Sequence, residues 1–198
     1  IAVAAALSNR SAVIFDNAWV TLVEIVAGFL IGAAVGMLSA LTMSAFRPAR
    51  QWLMPVLVVS QAIPVFALAP VLTLWLGYGM ESKIAMAVLI IYFPVTAAFH
   101  DGLRQTRPGW IDMARVMNAS RWAKLRHIRI PAALPALGSG LRVAAAVAPI
   151  GAVVGEWVGS SAGLGYLMLH ANARVQIDLM FAALFMLALI ACAFYFTI

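Results

Sequence analysis

Long, uninterrupted apolar runs organise this chain. The hydrocarbon core of a bilayer is about 30 Å thick and asks for about 20 mostly apolar residues per helix. Residues 20–46 form a first candidate span, with one ionisable group, Glu24, near its start. The second, 52–76, is interrupted by Pro55, Pro64 and Pro70, and the third, 84–99, contains Pro94. The fourth, 132–157, holds Arg142 and Pro149, and the fifth runs over 179–198. Strands of a membrane barrel would alternate in segments of about ten residues, and these runs do not alternate. The pattern predicts an all-α, polytopic transmembrane helix bundle, a single domain over 1–198.

Composition supports that solvent assignment. Hydrophobic residues make up 65% of the 198 and charged residues 10%, against about half and about a quarter in soluble domains. A soluble domain of this length leaves roughly a third of its chain surface in water, which this much apolar surface does not permit. Soluble enzymes, nucleic-acid binders and disordered linkers are excluded. The net charge of +6 therefore reports topology. Arg47, Arg50, Arg104, Arg107, Arg115, Arg121, Lys124, Arg126 and Arg129, nine of the thirteen basic residues, fall in two loops on one side of the spans. The opposite side carries only Arg10, Lys83 and Arg174. The basic side is cytoplasmic by the positive-inside rule, which puts 77–83 and 160–178 outside. Glu24 is then expected at the outer start of its span, reaching water. The chain begins at Ile1 and stops inside an apolar run, so trimmed ends are expected, with 1–7 the tail of an earlier membrane helix or of a signal sequence. Cys192 lies in an apolar run and reads as a buried, inert thiol.

Residues 100–130 break the membrane pattern. Pro108 suits a first helical turn, with Thr106 as a candidate cap. Trp110, Ile111, Met113, Ala114 and Met117 then fall on one helical face. Asn118 interrupts them and tolerates a left-handed turn. Ser120 can cap a second helix over 121–129, which Ile130-Pro131 is expected to stop. Two short helices at the cytoplasmic surface result. Physics alone allows a basic loop resting on anionic headgroups.

The order of residues adds to that reading. Asp112-Met113-Ala114, Asn118-Ala119-Ser120 and Ile130-Pro131-Ala132-Ala133-Leu134-Pro135 resemble the EAA loop of permease subunits in binding-protein-dependent ABC importers. Asp112 stands for the family's Glu, Met113 for its first Ala and Asn118 for its Gly. The stretch Ala62-Ile63-Pro64-Val65-Phe66-Ala67-Leu68-Ala69-Pro70, with Leu74-Trp75-Leu76-Gly77-Tyr78-Gly79, resembles the nitrate, sulfonate and taurine branch. Phe99-His100-Asp101-Gly102-Leu103 and Gly155-Glu156-Trp157-Val158-Gly159 through Gly163-Leu164-Gly165-Tyr166-Leu167 do too. The similarity covers 19–198, and it implies a multi-pass bacterial inner-membrane protein with a further membrane helix before the five visible ones.

The resemblance implies an importer in which a small polar solute, delivered by an extracytoplasmic solute-binding protein, enters by alternating access. It implies two cytoplasmic ATPase subunits and a second permease subunit, a homodimer, in membrane lipid and without nucleic acid. No cofactor is expected on this chain: Lys83 and Lys124 follow Ser82 and Ala123, so no P-loop is present, and ATP with Mg belongs to the partner ATPase. The coupling loop is expected over 104–130, with Asp112, Met113, Ala114, Met117, Asn118, Arg121 and Trp122 meeting the ATPase. Pathway or gate candidates are Pro64, Pro70, Arg142, Glu156, Gly163 and Gly165. Each proline is more simply a fixed kink. Arg142 either lines the cytoplasmic half of the pathway or snorkels to headgroups. Glu156 follows fourteen residues later on the same broad face, about 21 Å away by helix rise; it meets a gate or the binding protein, or simply makes a structural hydrogen bond. The small-residue stretch 160–167 suits a re-entrant turn or a periplasmic gate buried against protein. Gly28, Gly32 and Gly36 form a packing stripe.

Two other classes fit the composition less well. A membrane enzyme would cluster carboxylates or nucleophiles at one face, and the seven acids are scattered. An ion-driven transporter or channel would place several polar groups at the midplane. For the solute, 155–174 most resembles permeases for pyrimidine precursors of thiamine, with sulfonate, taurine or nitrate as competitors.

Overall fold

In lipid, apolar side chains gain nothing by leaving the solvent, so helices associate through close van der Waals contact and interhelical hydrogen bonds. Small residues decide where that happens. The computed structural model describes residues 2–198 and contains, among them, helices and turns without strands. The order is α1 (Ala2–Asn9), α2 (Ser11–Ala45), α3 (Arg47–Ala62), α4 (Val65–Leu76), α5 (Met80–Arg104), α6 (Pro108–Val116), α7 (Arg121–Lys124), a π-helical turn (Leu125–Arg129), α8 (Ile130–Gly159), α9 (Leu164–Ala173) and α10 (Ile177–Thr197).

Helix α5 is the centre, clasped by α2 on one side and α8 on the other. Gly28, Gly32 and Gly36 of α2 set its backbone against Ala87, Ile91 and Val95 of α5. On α8, Gly140, Gly151 and Gly155 do the same against Ala98, Ala87 and Lys83. A Cβ on Gly151 would stand 2.7 Å from the Ala87 Cα, a contact no side chain accepts. The packing stripe expected on α2 is therefore present, and α8 carries its counterpart. Tyr92 Oη donates to Ser39 Oγ at 3.0 Å across the α5–α2 seam, and Phe29 meets Phe194 edge to face at 5.1 Å.

Among the described residues four helices are long and apolar enough to cross a membrane, and α3 with α4 makes a fifth if the bent pair is one span. The first helix starts at Ser11, well before the expected residue 20, because the sequence before it stays helix-compatible and Ile14 and Ala18 pack into the outer core. Of the opening run, Ile1 lies outside the described residues, whereas α1 packs against α10. The bend between α3 and α4 is 104°. It falls at Ile63 and Pro64, both extended at ψ 120° and 117°. Proline disfavours the helical conformation in the residue before it, whereas Pro55 and Pro70 sit inside their helices. The bent span is sparsely packed: Leu57, Ala69 and Thr73 alone are buried along it.

Candidate functional site

The cytoplasmic loop is built from turn chemistry. Pro108 opens α6 with Arg107 as its cap residue, and no side chain caps it. Thr106, the expected cap, instead donates to the Leu103 carbonyl at 3.2 Å and closes α5. The guanidinium of Arg107 lies 5.5 Å from the centre of the Trp110 ring. Asn118 takes the left-handed conformation, φ 52°. Around it, Ala119 N–H donates to the Ala114 carbonyl and Asn118 N–H to that of Arg115, both at 2.9 Å, the paired bonds of a Schellman stop. Ser120 Oγ then accepts from Ala123 N–H at 3.1 Å and starts α7, as expected.

The second short helix does not end at Ile130-Pro131. One α-helical turn passes into the π-helical turn, where Ile130 N–H reaches the Leu125 carbonyl, and runs on into α8. Proline supplies no N–H, and the widened turn before Pro131 absorbs that loss without breaking the rod. Residues 121–159 thus form one continuous lever. Of the expected apolar face on α6, Ala114 alone is buried. Met113 is 66% exposed, Met117 71% and Trp122 71%. Between α6 and the foot of α8 runs an apolar groove of about 420 Å³ lined by Trp110, Met113, Met117, Ile128, Pro131 and Ala132. Asp112 and Arg115 pair at 2.6 Å on the exposed side of α6. Of the seven coupling candidates, Asp112, Met113, Met117, Asn118, Arg121 and Trp122 are exposed, whereas Ala114 is buried beneath them.

At the outer end a second constellation appears. Helix α9 begins at Gly163, whose φ of 114° suits glycine, and its first amides are capped from other helices. Gly163 N–H donates to Asn17 Oδ1 at 2.7 Å and Leu164 N–H to Thr21 Oγ1 at 2.8 Å. Glu156 Oε2 accepts from Gly165 N–H and, at 3.3 Å, from Tyr166 N–H. Thr21 Oγ1 donates to Glu156 Oε1 at 2.6 Å. A carboxylate at a helix N-terminus also meets the positive end of the helix dipole. Glu156 makes the structural hydrogen bonds that were its plainer reading. A side chain on Gly163 or Gly165 would run into that carboxylate.

Several expectations change. Glu24 does not reach water; it is fully buried and pairs with Lys83, itself in the first turn of α5 rather than in an outer loop. Fourteen residues leave Arg142 and Glu156 on one broad face of α8, but their surroundings differ: Arg142 is exposed and Glu156 buried. Cys192 is exposed on α10 instead of buried. Pro64 stands at the bend and Pro70 within α4, and both are exposed. The sequence reading missed Asn17, Thr21 and Lys83. The spacing 17, 21, 24, 28, 32, 36 was the available signal, because it continues the glycine stripe with polar residues.

Residues 32–198 match the binding-protein-dependent transport system inner membrane component family. The chain belongs to that family. It is the permease subunit of an ABC importer, a multi-pass protein of the inner membrane, and members of this family work with a separate ATPase and a solute-binding protein. It is 59% identical over 192 residues to a probable ABC transporter permease protein of Haemophilus influenzae, covering 97% of this chain and 78% of the relative. It is 36% identical over 176 residues to the formylaminopyrimidine transport permease protein of Halalkalibacterium halodurans, covering 89% and 70%. The riboflavin transport system permease protein of Chloroflexus aurantiacus is 43% identical over 145 residues, 73% of this chain and 54% of that protein. The permease has the fold of a chain from the MetNI methionine ABC transporter, captured facing inward: TM-score 0.71 over 95% of this chain and 92% of that one, at 20% identity.

Proposed function

We propose that this permease moves a small polar solute inward by alternating access, with α6 as the helix that receives the stroke of the ATPase. The observation that carries this reading is the exposed apolar groove beside α6. Met113, Met117 and Trp122 would be costly to leave in water, and a cytoplasmic partner would cover them. The Schellman stop at Asn118 and the unbroken rod 121–159 support transmission, because a push on α6 reaches the lever of α8 through one short turn. Asp112 and Arg121, both exposed, complete that contact, and the buried Ala114 packs beneath it. Two ATPase subunits holding ATP and Mg, and a second copy of this chain, complete the assembly.

For the solute we infer a pyrimidine precursor of thiamine. This rests on the resemblance of 155–174 and on the 36% identity to the formylaminopyrimidine permease over most of both chains. Riboflavin is the competing solute, since that relative is 43% identical over a shorter stretch. Proteoliposomes holding the permease and its ATPase, supplied with its solute-binding protein, should accumulate labelled formylaminopyrimidine only with ATP inside the compartment the ATPase faces. Accumulation of riboflavin or taurine in its place would overturn the solute assignment, and uptake without ATP would overturn the mechanism.

A further inference from the structure

Arg142 lies midway along the α5–α8 contact, exposed and, among the described residues, unpaired. The glycine contacts of α5 and α8 set its depth. Gly102 packs on Ala133 and Ala136 near the cytoplasmic end, Gly140 on Pro94 and Ala98, and Gly155 on Lys83 at the outer end. Arg142 is therefore level with about Pro94, ten residues before the cytoplasmic end of α5 at Arg104. Ten residues are about 15 Å of helix rise, half of a hydrocarbon core about 30 Å thick. Among the described residues the guanidinium has neither an ion-pair nor a hydrogen-bond partner. The acids lie far from this level: Asp101 and Asp112 at the cytoplasmic end, and Asp16, Glu24, Glu81, Glu156 and Asp178 at the outer end.

The face around it mixes small and polar residues with apolar ones, Val143 and Ile150 being exposed beside it. Ser139, Arg142, Ala146 and Ile150 follow one another along the exposed side of α8. The exposed side of α10 instead carries Phe181, Leu184, Phe185 and Leu189. An unpaired arginine at the bilayer centre is costly against lipid and is found facing protein or a water-filled cavity. Small neighbours at Ser139 and Ala146 leave its donors open, and a guanidinium offers five of them in a planar fork suited to carboxylate and phosphate oxygens.

We propose that Arg142 is the anion-attracting point of the translocation pathway, holding acceptor oxygens or a negative group of the solute at mid-membrane and disfavouring cationic solutes. This rests on the permease reading above and names the solute chemistry its pathway favours. The fixed positive charge in a low-dielectric channel raises the local concentration of anions.

The test uses the assembled transporter in liposomes, with Cys192→Ala removing the chain's one native thiol. Ser139→Cys and Ala146→Cys are labelled with anionic sulfonatoethyl and cationic trimethylammonium-ethyl methanethiosulfonates, with Leu184→Cys as the lipid-facing reference. Both α8 positions should react, with the anionic reagent favoured about tenfold over its ratio at a free thiol, the scale of one nearby charge at intermediate dielectric. Arg142→Met should abolish the preference and Arg142→Lys keep most of it. Absence of reaction at both positions, or a preference unchanged by Arg142→Met, would overturn the proposal. Labelling does not depend on turnover, so failure of ATP-driven uptake would count against the permease mechanism alone.

Discussion

Lys83 Nζ lies 3.4 Å from Glu24 Oε1, with both side chains buried where α2 meets α5. The α8 backbone at Gly155 packs directly on Lys83, so this ion pair sits at the junction of the three helices that form the core. Breaking such a pair strands a charge, at a cost of about 3–5 kcal/mol. Lys83→Met should lower the melting temperature of the detergent-solubilised protein sharply. Adding Glu24→Gln should recover much of the loss, because neither group is then a stranded charge. Equal melting of single and double variants would contradict a coupled pair.

Glu156 predicts a local effect. Its carboxylate caps two amides of α9, and hydrogen bonds to charged groups contribute about 1.5–3 kcal/mol each. Glu156→Ala should raise amide hydrogen exchange at 163–166 well above that of the α5 core. Thr21→Ala and Asn17→Ala should each do so by about 1 kcal/mol, the usual worth of an N-terminal cap. Uniform exchange changes across the bundle would point to global destabilisation instead.

Glycine substitutions should divide by position. Gly151→Val drives methyl groups into Ala87 of α5 and should cost upwards of about 1–3 kcal/mol. Gly138, on the same helix, has nothing within 4 Å of an added Cβ. Gly138→Ala should stabilise α8 by about 0.5–1 kcal/mol through lower unfolded-state entropy. Thermal unfolding of the two variants side by side reads this difference.

The loop predicts uncoupling. Asn118→Gly should be silent, as φ 52° suits glycine. Asp112→Ala with Asn118→Ala should cut solute uptake while the protein still melts near the wild-type temperature, since Asp112 is exposed and the left-handed penalty is about 1–2 kcal/mol. Normal uptake by that double variant would remove the coupling role.

Much of this protein is legible from local chemistry. Bilayer thickness fixes how long an apolar run must be, so the four long spans and the fifth, bent one follow from hydropathy. The left-handed Asn118 and the Ser120 cap follow as well, because each depends on a few neighbouring dihedral angles; of the three prolines expected to interrupt the second span, Pro64 alone breaks it. Pro131 did not behave as a stop: its missing N–H was absorbed by a π-helical turn whose Leu125 is buried in the core beside α5 and α8. The fates of Glu24, Lys83 and Glu156 were decided by tertiary structure alone. Whether a charge near a helix end meets water or another helix depends on what packs beside it, and here glycines at Gly28 and Gly155 bring three backbones close enough to enclose an ion pair. The first turn of α9 is the same case. Its partners Asn17, Thr21 and Glu156 lie as many as 146 residues away, and only the packed bundle brings them to one helix end.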